Sequence, residues 1–240
     1  MMTVTTGLPA GIGLSEVRVY RTAAPDGQCG GTPHTHLACA ELYFPLRGRG
    51  AVEFLTMDGY TRTTLEPGGP VQFTPGTLHR LINGAEPLEL LVVMENGRLV
   101  EEGDAVFTFP DEDLADPEVY AELAAVPDPS AVERRRDRAV IGFRRLVDTW
   151  LGDPAAGRRA LERFHRRAVE LAAPRAGAWP AHLDAGPRTA LDRLADRTEA
   201  VSAGDPSHLA LGRVTRLPHL DETALAARSC GRLWPYAVTS

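Results

Sequence analysis

The hydrophobic pattern of this chain changes near Phe109, and that change constrains the fold more than any other feature of the sequence. Upstream, short runs of β-branched, aromatic and aliphatic residues are separated by Gly, Pro, Asp and Asn; they are VRVY, ELYFPL, AVEFLTM, YTRTTL, VQF and LELLVVM. Many short strands with turn signals between them are typical of a β-sandwich or barrel. The first half is therefore predicted to be all-β.

Turn residues inside this region indicate how the strands connect. Gly48 and Gly50 fall within LRGRGAVEF, and Asp58-Gly59 falls within MDGY, so each pair predicts a tight hairpin turn between antiparallel strands. Pro45 lies inside ELYFPL, where it cannot donate a ladder hydrogen bond, so it predicts an edge or a bulge.

Downstream of Phe109 the apolar residues recur at helical spacing. The Arg134–Arg136 run lies opposite the apolar face of the first amphipathic segment, Asp153-Pro154 supplies an N-cap and a first-turn proline for the second, and Pro174 is expected to end it. Residues 172–187 are predicted to form a loop. A bundle of about four helices is expected, at 130–151, 154–173, about 188–201 and about 221–230.

These patterns predict a mainly β fold with an α-helical C-terminal region. The expected organisation is a disordered N-terminus at 1–14, a β-barrel at 15–110 and a helical region at 111–240. No run approaches the ~20 apolar residues of a membrane span, and no signal sequence is visible, so a cytoplasmic protein is expected. Cys29, Cys39 and Cys230 are scattered and odd in number, and they are interpreted as reduced thiols.

Charge and lysine content exclude several classes of chemistry. All 26 basic residues are arginines, so Schiff-base catalysis and a phosphate-binding P-loop, which need lysine, are excluded. Residues 1–115 carry 7 Arg against 15 acidic residues, and residues 116–240 carry 19 Arg against 17. An acidic first half and interleaved charges in the second argue against nucleic-acid binding.

Four residues in the β half form a candidate metal site. His34 and His36 are two apart on a predicted strand, so their imidazoles project from the same face. Glu41 has the opposite parity, and a turn or bulge must return its carboxylate to that face. His79, from a later strand, can lie opposite them in a closed barrel. The set offers three imidazoles and one carboxylate.

This spacing resembles the cupin superfamily, over about 95 residues. Its first motif, G(X)5HXH(X)3-4E(X)6G, is matched by His34, His36, Glu41 and Gly48, although the upstream glycine is displaced. Its second motif, G(X)5PXG(X)2H(X)3N, is matched except that proline and glycine are adjacent; the matching residues are Gly69, Pro75, Gly76, His79 and Asn83. The chain thus resembles a single-domain cupin of the cupin-2 type, a metal-binding jelly-roll β-barrel, here followed by a helical extension.

The resemblance implies one divalent ion held by His34, His36, Glu41 and His79. Fe(II) is preferred, and Mn(II), Ni(II), Co(II) and Zn(II) suit the same donors. The leading hypothesis is a mononuclear non-haem Fe(II) oxygenase, an oxidoreductase of dioxygenase type that acts on a small organic substrate. The alternatives are an isomerase, lyase or sugar-modifying enzyme with a Lewis-acid ion, and a non-catalytic module that binds a small ligand. Homodimerisation is expected by analogy with other cupins.

Further residues are assigned secondary roles. Four are expected to line a substrate pocket that could bind an anionic or hydroxylated molecule: Tyr43, Arg47, Gln72 and Arg80. Glu53 could be a general base, but a solvated strand carboxylate is the favoured interpretation. Cys39 is expected to be a small buried side chain. Packing or surface roles are expected for His165, His182, His208, His219, Trp150, Trp179 and Trp234.

Overall fold

Two antiparallel sheets form the first part of the molecule. A computed structural model describes residues 8–95 and 98–236. The six-stranded sheet has the order β10-β11-β1-β8-β3-β6, and the five-stranded sheet has the order β5-β4-β7-β2-β9. The strands are β1 (Gly13–Val19), β2 (His34–His36), β3 (Glu41–Arg47), β4 (Gly50–Thr56), β5 (Gly59–Leu65), β6 (Val71–Phe73), β7 (Leu78–Asn83), β8 (Glu89–Met94), β9 (Ala105–Phe107), β10 (Ala226–Ala227) and β11 (Gly231–Pro235). This is a jelly roll, as predicted.

The predicted turn residues lie where the strands reverse. Gly48 lies between β3 and β4 with a φ of 70°, and a Cβ there would lie 1.9 Å from the Pro87 carbonyl oxygen, so a larger residue does not fit. Gly59 begins β5 directly after the turn from β4. The pairing of β3 with β8 shifts register between Pro45 and Arg47, which confirms the predicted irregularity.

The barrel interior is filled by apolar residues that alternate along the strands. On β4, Val52 and Phe54 point between the two sheets, while Leu55 points to the opposite face. The interior cluster consists of Val17, Val19, Tyr43, Val52, Phe54, Leu65, Leu81, Leu88, Leu90 and Val92.

A second core joins the outer face of the five-stranded sheet to the helices. Leu55 and Leu78 of this face pack with Phe143 and Leu161 of the helical region. The helices are α1 (Asp111–Leu114), α2 (Pro117–Ala124), α3 (Ala131–Gly152), α4 (Pro154–Ala176), α5 (Trp179–Leu183) and α6 (Thr189–Ser202). The predicted barrel followed by helices is confirmed, and both faces of one sheet are covered.

Several details of the helical prediction are wrong. Pro174 lies inside the last turn of α4 rather than ending it, and the segment 172–187, predicted as a loop, is largely helical. The short helices α1 and α2 were not predicted. Asp153 does cap α4, because its side chain accepts a hydrogen bond from the Ala155 backbone N–H at 2.9 Å.

The predicted fourth helix at 221–230 is also wrong. The chain forms a 3-10 turn at Glu222–Ala224 and then the strands β10 and β11. Strand β11 pairs antiparallel with β1, and Gly231 lies so close to β1 that a Cβ would be 2.1 Å from the Arg18 carbonyl oxygen. The six-stranded sheet therefore takes strands from both ends of the chain.

The N-terminus is ordered where the structure describes it. Residues 1–14 were expected to be disordered; residues 1–7 lie outside the described part of the chain, whereas Pro9–Gly11 forms a 3-10 turn and β1 starts at Gly13. Among the described helices, none combines the length and apolarity needed to cross a membrane.

Candidate metal centre

The structure brings the four predicted ligands together in the barrel interior. His34 and His36 are the ends of β2, and His79 of β7 is the register partner of His34. Glu41 is the first residue of β3, which belongs to the other sheet. The expected turn at 37–40 is therefore a crossing between sheets, and it makes the carboxylate face the imidazoles.

The donor atoms converge. Glu41 Oε2 lies 3.4 Å from His36 Nε2 and 3.3 Å from His79 Nε2. The ring centroids of His34 and His79 are 4.3 Å apart. All four side chains are buried, and their exposed fractions do not exceed 4%. Such close separations suit donor atoms that share one ion.

Each imidazole is oriented by a hydrogen bond from its other nitrogen. His34 Nδ1 lies 2.8 Å from the Thr32 carbonyl oxygen, and His79 Nδ1 lies 3.1 Å from that of Thr77. Because a carbonyl accepts, these nitrogens carry the proton and both Nε2 atoms present a lone pair. His36 Nδ1 lies 2.9 Å from Asp104 Oδ2. This is the arrangement in which histidines bind metal.

Two of the converging atoms lack a hydrogen-bond partner in the described structure. They are Glu41 Oε2 and His79 Nε2, both fully shielded from solvent. A buried carboxylate oxygen or imidazole nitrogen without a partner is costly, and such groups point to an ion or ligand. The residues present therefore fit a divalent cation.

The pKa values of the histidines diverge. Burial and the neighbouring His36 lower the pKa of His34 to about 3, and burial with the adjacent imidazoles places that of His79 well below its usual value. Burial would also lower the pKa of His36, but the carboxylates of Asp104 and Glu41 outweigh it and raise the pKa to about 9. Burial therefore favours the neutral forms of His34 and His79, whereas the neighbouring carboxylates favour the protonated form of His36 in the metal-free protein.

A thiol and a phenol complete the interior wall. Cys230, just before β11, has its Sγ 4.0 Å from His34 Nε2 and 3.6 Å from the Tyr43 hydroxyl. Burial raises the pKa of both Cys230 and Tyr43. Tyr43 therefore lies beside the centre, as expected of a pocket residue, whereas the role of Cys230 was missed because it is far away in sequence.

The other three predicted pocket residues do not face the centre. Arg47 and Gln72 are exposed, because both occupy positions that point out of the barrel. Arg80 is fully buried, but it follows His79 and so points to the opposite face of the sheet, where it forms an ion pair with Asp26. For these three residues the prediction is wrong.

Glu53 lies on the same outer face as Arg80 and is fully buried, so its interpretation as a solvated carboxylate is wrong. Its carboxylate accepts hydrogen bonds from Tyr60 Oη at 2.7 Å and from Arg144 Nη2 at 2.6 Å, and it lies 3.8 Å from Arg80 Nη1. Because Arg144 belongs to α3, this network ties the helices to the barrel. A general-base role at the centre is excluded by its position.

Two further polar residues near the centre were not predicted. Asp104, before β9, orients His36, but no cupin motif includes it. Arg135 of α3 is 8% exposed, and its guanidinium lies 4.7 Å from the Phe107 ring, whose centroid is 6.3 Å from that of His34. Nε and Nη2 of Arg135 have no partner among the described residues, and burial lowers its pKa.

One of the remaining histidines and two of the tryptophans have clear structural contacts. His165 of α4 donates from Nε2 to the Gly76 carbonyl oxygen at 2.8 Å, in the loop that precedes His79. Trp150 packs in the helical core, and Trp179 donates to the Glu102 carbonyl oxygen at 3.2 Å. Cys39 is buried, as expected.

The chain overlaps in part with solved structures. An oxalate oxidase has 18% identity and a TM-score of 0.30 over 38% of this chain and 49% of that one. An oxalate decarboxylase of Bacillus subtilis has 20% identity and a TM-score of 0.29 over 34% and 21%. The coconut allergen cocosin has 16% identity and a TM-score of 0.31 over 39% and 27%. The overlap spans less than half of each of these proteins, and it does not identify a substrate.

No family model and no curated protein matches the sequence. The fold and the site are nevertheless defined by the chain itself. It has a jelly roll of two antiparallel sheets, and the His and Glu side chains of both sequence motifs converge inside it. The chain therefore has the jelly-roll fold and the donor set that its resemblance to the cupins implies.

Proposed function

We propose that this protein holds one divalent metal ion through His34, His36, Glu41 and His79 and acts as a mononuclear non-haem Fe(II) oxygenase on a small organic substrate. The observation that carries the metal site is a pair of buried donor atoms, His79 Nε2 and Glu41 Oε2, that have no hydrogen-bond partner within residues 8–95 and 98–236. An ion between them removes the cost of burying both. When bound, Fe(II) supplies redox chemistry with dioxygen as co-substrate.

The protein groups around the centre favour a small substrate. The rings of Phe73, Phe107 and Tyr43 lie near the histidines and give the centre an apolar surrounding. Arg135 lies over Phe107, and its Nε and Nη2 have no partner in the part of the chain that the structure describes, so it is suited to bind a carboxylate or another anion. We therefore expect a small molecule with one anionic group and an apolar body.

A second candidate function is supported by the donor set itself. Three imidazoles and one carboxylate suit Mn(II), Ni(II), Co(II) or Zn(II) as well as Fe(II). With these ions the same site would supply Lewis-acid chemistry for an isomerase, lyase or sugar-modifying enzyme. Such an enzyme would not consume oxygen. A small molecule is the partner in both proposals, and homodimerisation stays a prediction.

The test is elemental analysis of anaerobically purified protein, with oxygen uptake recorded after Fe(II) reconstitution. The wild type is compared with the double variant His36→Ala, His79→Ala and with a matched control, His208→Ala, His219→Ala, which removes two histidines outside the centre. We expect about one equivalent of metal in the wild type and the control, and loss in the first variant.

The outcomes separate the candidates. Oxygen uptake that needs Fe(II) and is lost in His36→Ala, His79→Ala supports the oxygenase. Stoichiometric Zn, Ni or Mn without oxygen uptake supports the Lewis-acid enzyme. Failure of the wild type to bind any of these ions overturns both.

A further inference from the structure

The C-terminal segment carries a thiol into the barrel interior. Cys230 directly precedes β11 and is held by contacts on both sides. The Thr32 backbone N–H donates to the Ser229 carbonyl oxygen at 2.8 Å, and Gly31 lies so close that a Cβ there would be 2.9 Å from Cys230 Cα. Gly231 is fixed against β1. The position of the thiol is thus set by backbone packing.

We propose that Cys230 is a further ligand of the metal centre, binding the ion through Sγ as a thiolate. The donor atoms of His34, His79 and Cys230 all lie within 4.8 Å of one another; both histidines are buried, and Cys230 is partly buried and packs against the interior cluster. His79 Nε2, one of these atoms, has no hydrogen-bond partner among the described residues. The assignment rests on the metal site proposed above and adds a residue that neither sequence motif contains.

The separation of Cys230 and His34 fits coordination to one ion. Metal–nitrogen and metal–sulfur bonds of about 2.0 and 2.3 Å place the two atoms about 3.5 Å apart at a tetrahedral angle and about 4.3 Å apart in trans positions. The observed distance between Sγ and Nε2 is 4.0 Å. It lies between these limits, so an ion can bridge the two atoms without a large movement of either chain segment.

Binding needs no oxidant or reductant. The S–H bond breaks, the metal–sulfur bond forms, and the proton leaves to solvent. The Tyr43 hydroxyl, 3.6 Å from Sγ, can then donate a hydrogen bond to the thiolate and offset part of its charge. A thiolate makes the donor set softer, which favours Fe(II), Co(II) or Zn(II) over Mn(II). It also leaves one fewer coordination position for a substrate.

The test uses Co(II), because a cobalt–thiolate bond gives a charge-transfer absorption that nitrogen and oxygen ligands do not give. The metal-free wild type, Cys230→Ser and the matched control Cys29→Ser are titrated with Co(II) under reducing, anaerobic conditions. Cys29 is chosen because it does not belong to either donor cluster. We expect the absorption in the wild type and in Cys29→Ser, and its complete loss in Cys230→Ser with Co(II) still bound.

A measurement on the wild type alone guards against a misfolded variant. X-ray absorption of the Zn-loaded protein should show one sulfur scatterer at about 2.3 Å. Stoichiometric metal binding without a sulfur signal in either measurement overturns the ligand assignment but leaves the metal site intact. Absence of Co(II) and Zn binding overturns both. A signal that persists in Cys230→Ser also overturns the assignment.

Discussion

His36 Nδ1 and Asp104 Oδ2 lie 2.9 Å apart, and this contact determines which nitrogen of the His36 ring faces the metal centre. The other oxygen of Asp104 accepts hydrogen bonds from the backbone N–H groups of Leu37 and Ala38, at 3.1 and 2.6 Å. The Asp104 carboxylate thus orients His36 and also holds the start of the segment 37–40, which passes from one sheet to the other and ends at Glu41. Burial would raise the pKa of Asp104, but the His36 contact outweighs it and lowers the pKa.

The first prediction concerns this carboxylate. In Asp104→Asn the charge that polarises His36 is lost, and an amide at this position can present its NH2 group to the ring. We expect the affinity for Zn or Co(II) to fall about 10- to 100-fold, as is typical when the partner of a metal-binding histidine is removed. Competition with a chelator of known affinity measures the change.

The matched control is Asp113→Asn. Asp113 is also a buried carboxylate, but it pairs with Arg138 in the helical region, at 2.9 Å between Oδ1 and Nη2. Its replacement should leave metal affinity unchanged. Equal losses in the two variants would show that general destabilisation, rather than the orientation of His36, explains the effect.

The second prediction is the pH dependence of the metal-free protein. The pKa of His36 is raised to about 9, so the stability it contributes is fully present below its ordinary pKa of about 6.5 and is lost as pH rises through 9. The pKa values of His34 and His79 are lowered, so the unfolded state binds extra protons below about 6.5 and the fold loses stability there.

The free energy of unfolding should therefore be highest near pH 7. Urea unfolding of chelator-treated protein at about pH 5, 7 and 10 checks this dependence. Asp104→Asn should reduce the loss on the alkaline side, because it removes a cause of the raised pKa of His36. A stability that rises steadily up to pH 10 would contradict the prediction.

Three of the four candidate ligands were predictable because their information is local. His34, His36 and Glu41 lie within eight residues, and the alternation of a strand places the two imidazoles on one face. Tyr43 follows from the same parity, since it lies two residues beyond Glu41 on β3. Short-range spacing was therefore sufficient to predict most of the candidate site.

Long-range contacts were not predictable from spacing. Asp104 and Cys230 reach the centre from loops and strands whose pairing depends on tertiary packing, and neither belongs to a local pattern. The predictions for Glu53 and Arg80 were wrong because the outer face of their strands was assumed to face solvent. The helices cover that face, so charged residues on it are buried and paired. The segment 221–230 gave a weak helical pattern, but its residues Ala226 and Ala227 form β10 and pair with β11 instead.

The third prediction concerns the link between barrel and helices. Glu53→Gln removes a buried charge that pairs with the half-buried Arg144 at 2.6 Å and lies 3.8 Å from the fully buried Arg80, so both guanidinium groups are less compensated. We expect a loss of about 3 kcal/mol in the free energy of unfolding, which is typical when one partner of a buried ion pair is removed. Urea unfolding measures it. The control Glu112→Gln breaks exposed pairs with Arg145 and Arg138, and little change is expected.

The fourth prediction tests Arg135 as a group for binding anions. Because two of its nitrogens are buried and have no partner among the residues that the structure covers, Arg135→Met should leave the free energy of unfolding unchanged or higher. Acetate should raise the Tm of the wild type and of the control Arg47→Met, but not that of Arg135→Met. Strong destabilisation of Arg135→Met, without an acetate effect in the wild type, would show that Arg135 is a packing residue.

The fifth prediction concerns the closest approach of α3 to the barrel. A Cβ at Gly142 would lie 2.0 Å from the carbonyl oxygen of Thr108, the residue directly after β9. Gly142→Ala therefore forces α3 away from this part of the barrel. We expect a loss of about 1–3 kcal/mol in the free energy of unfolding, as for overpacking elsewhere.

The matched control is Gly152, at the end of the same helix, where an added Cβ would have no heavy atom of the described residues within 4 Å. Gly152→Ala should therefore be neutral or stabilising by up to about 1 kcal/mol, because alanine favours helix. Equal effects in urea unfolding of the two variants would contradict the close packing of α3 on the barrel.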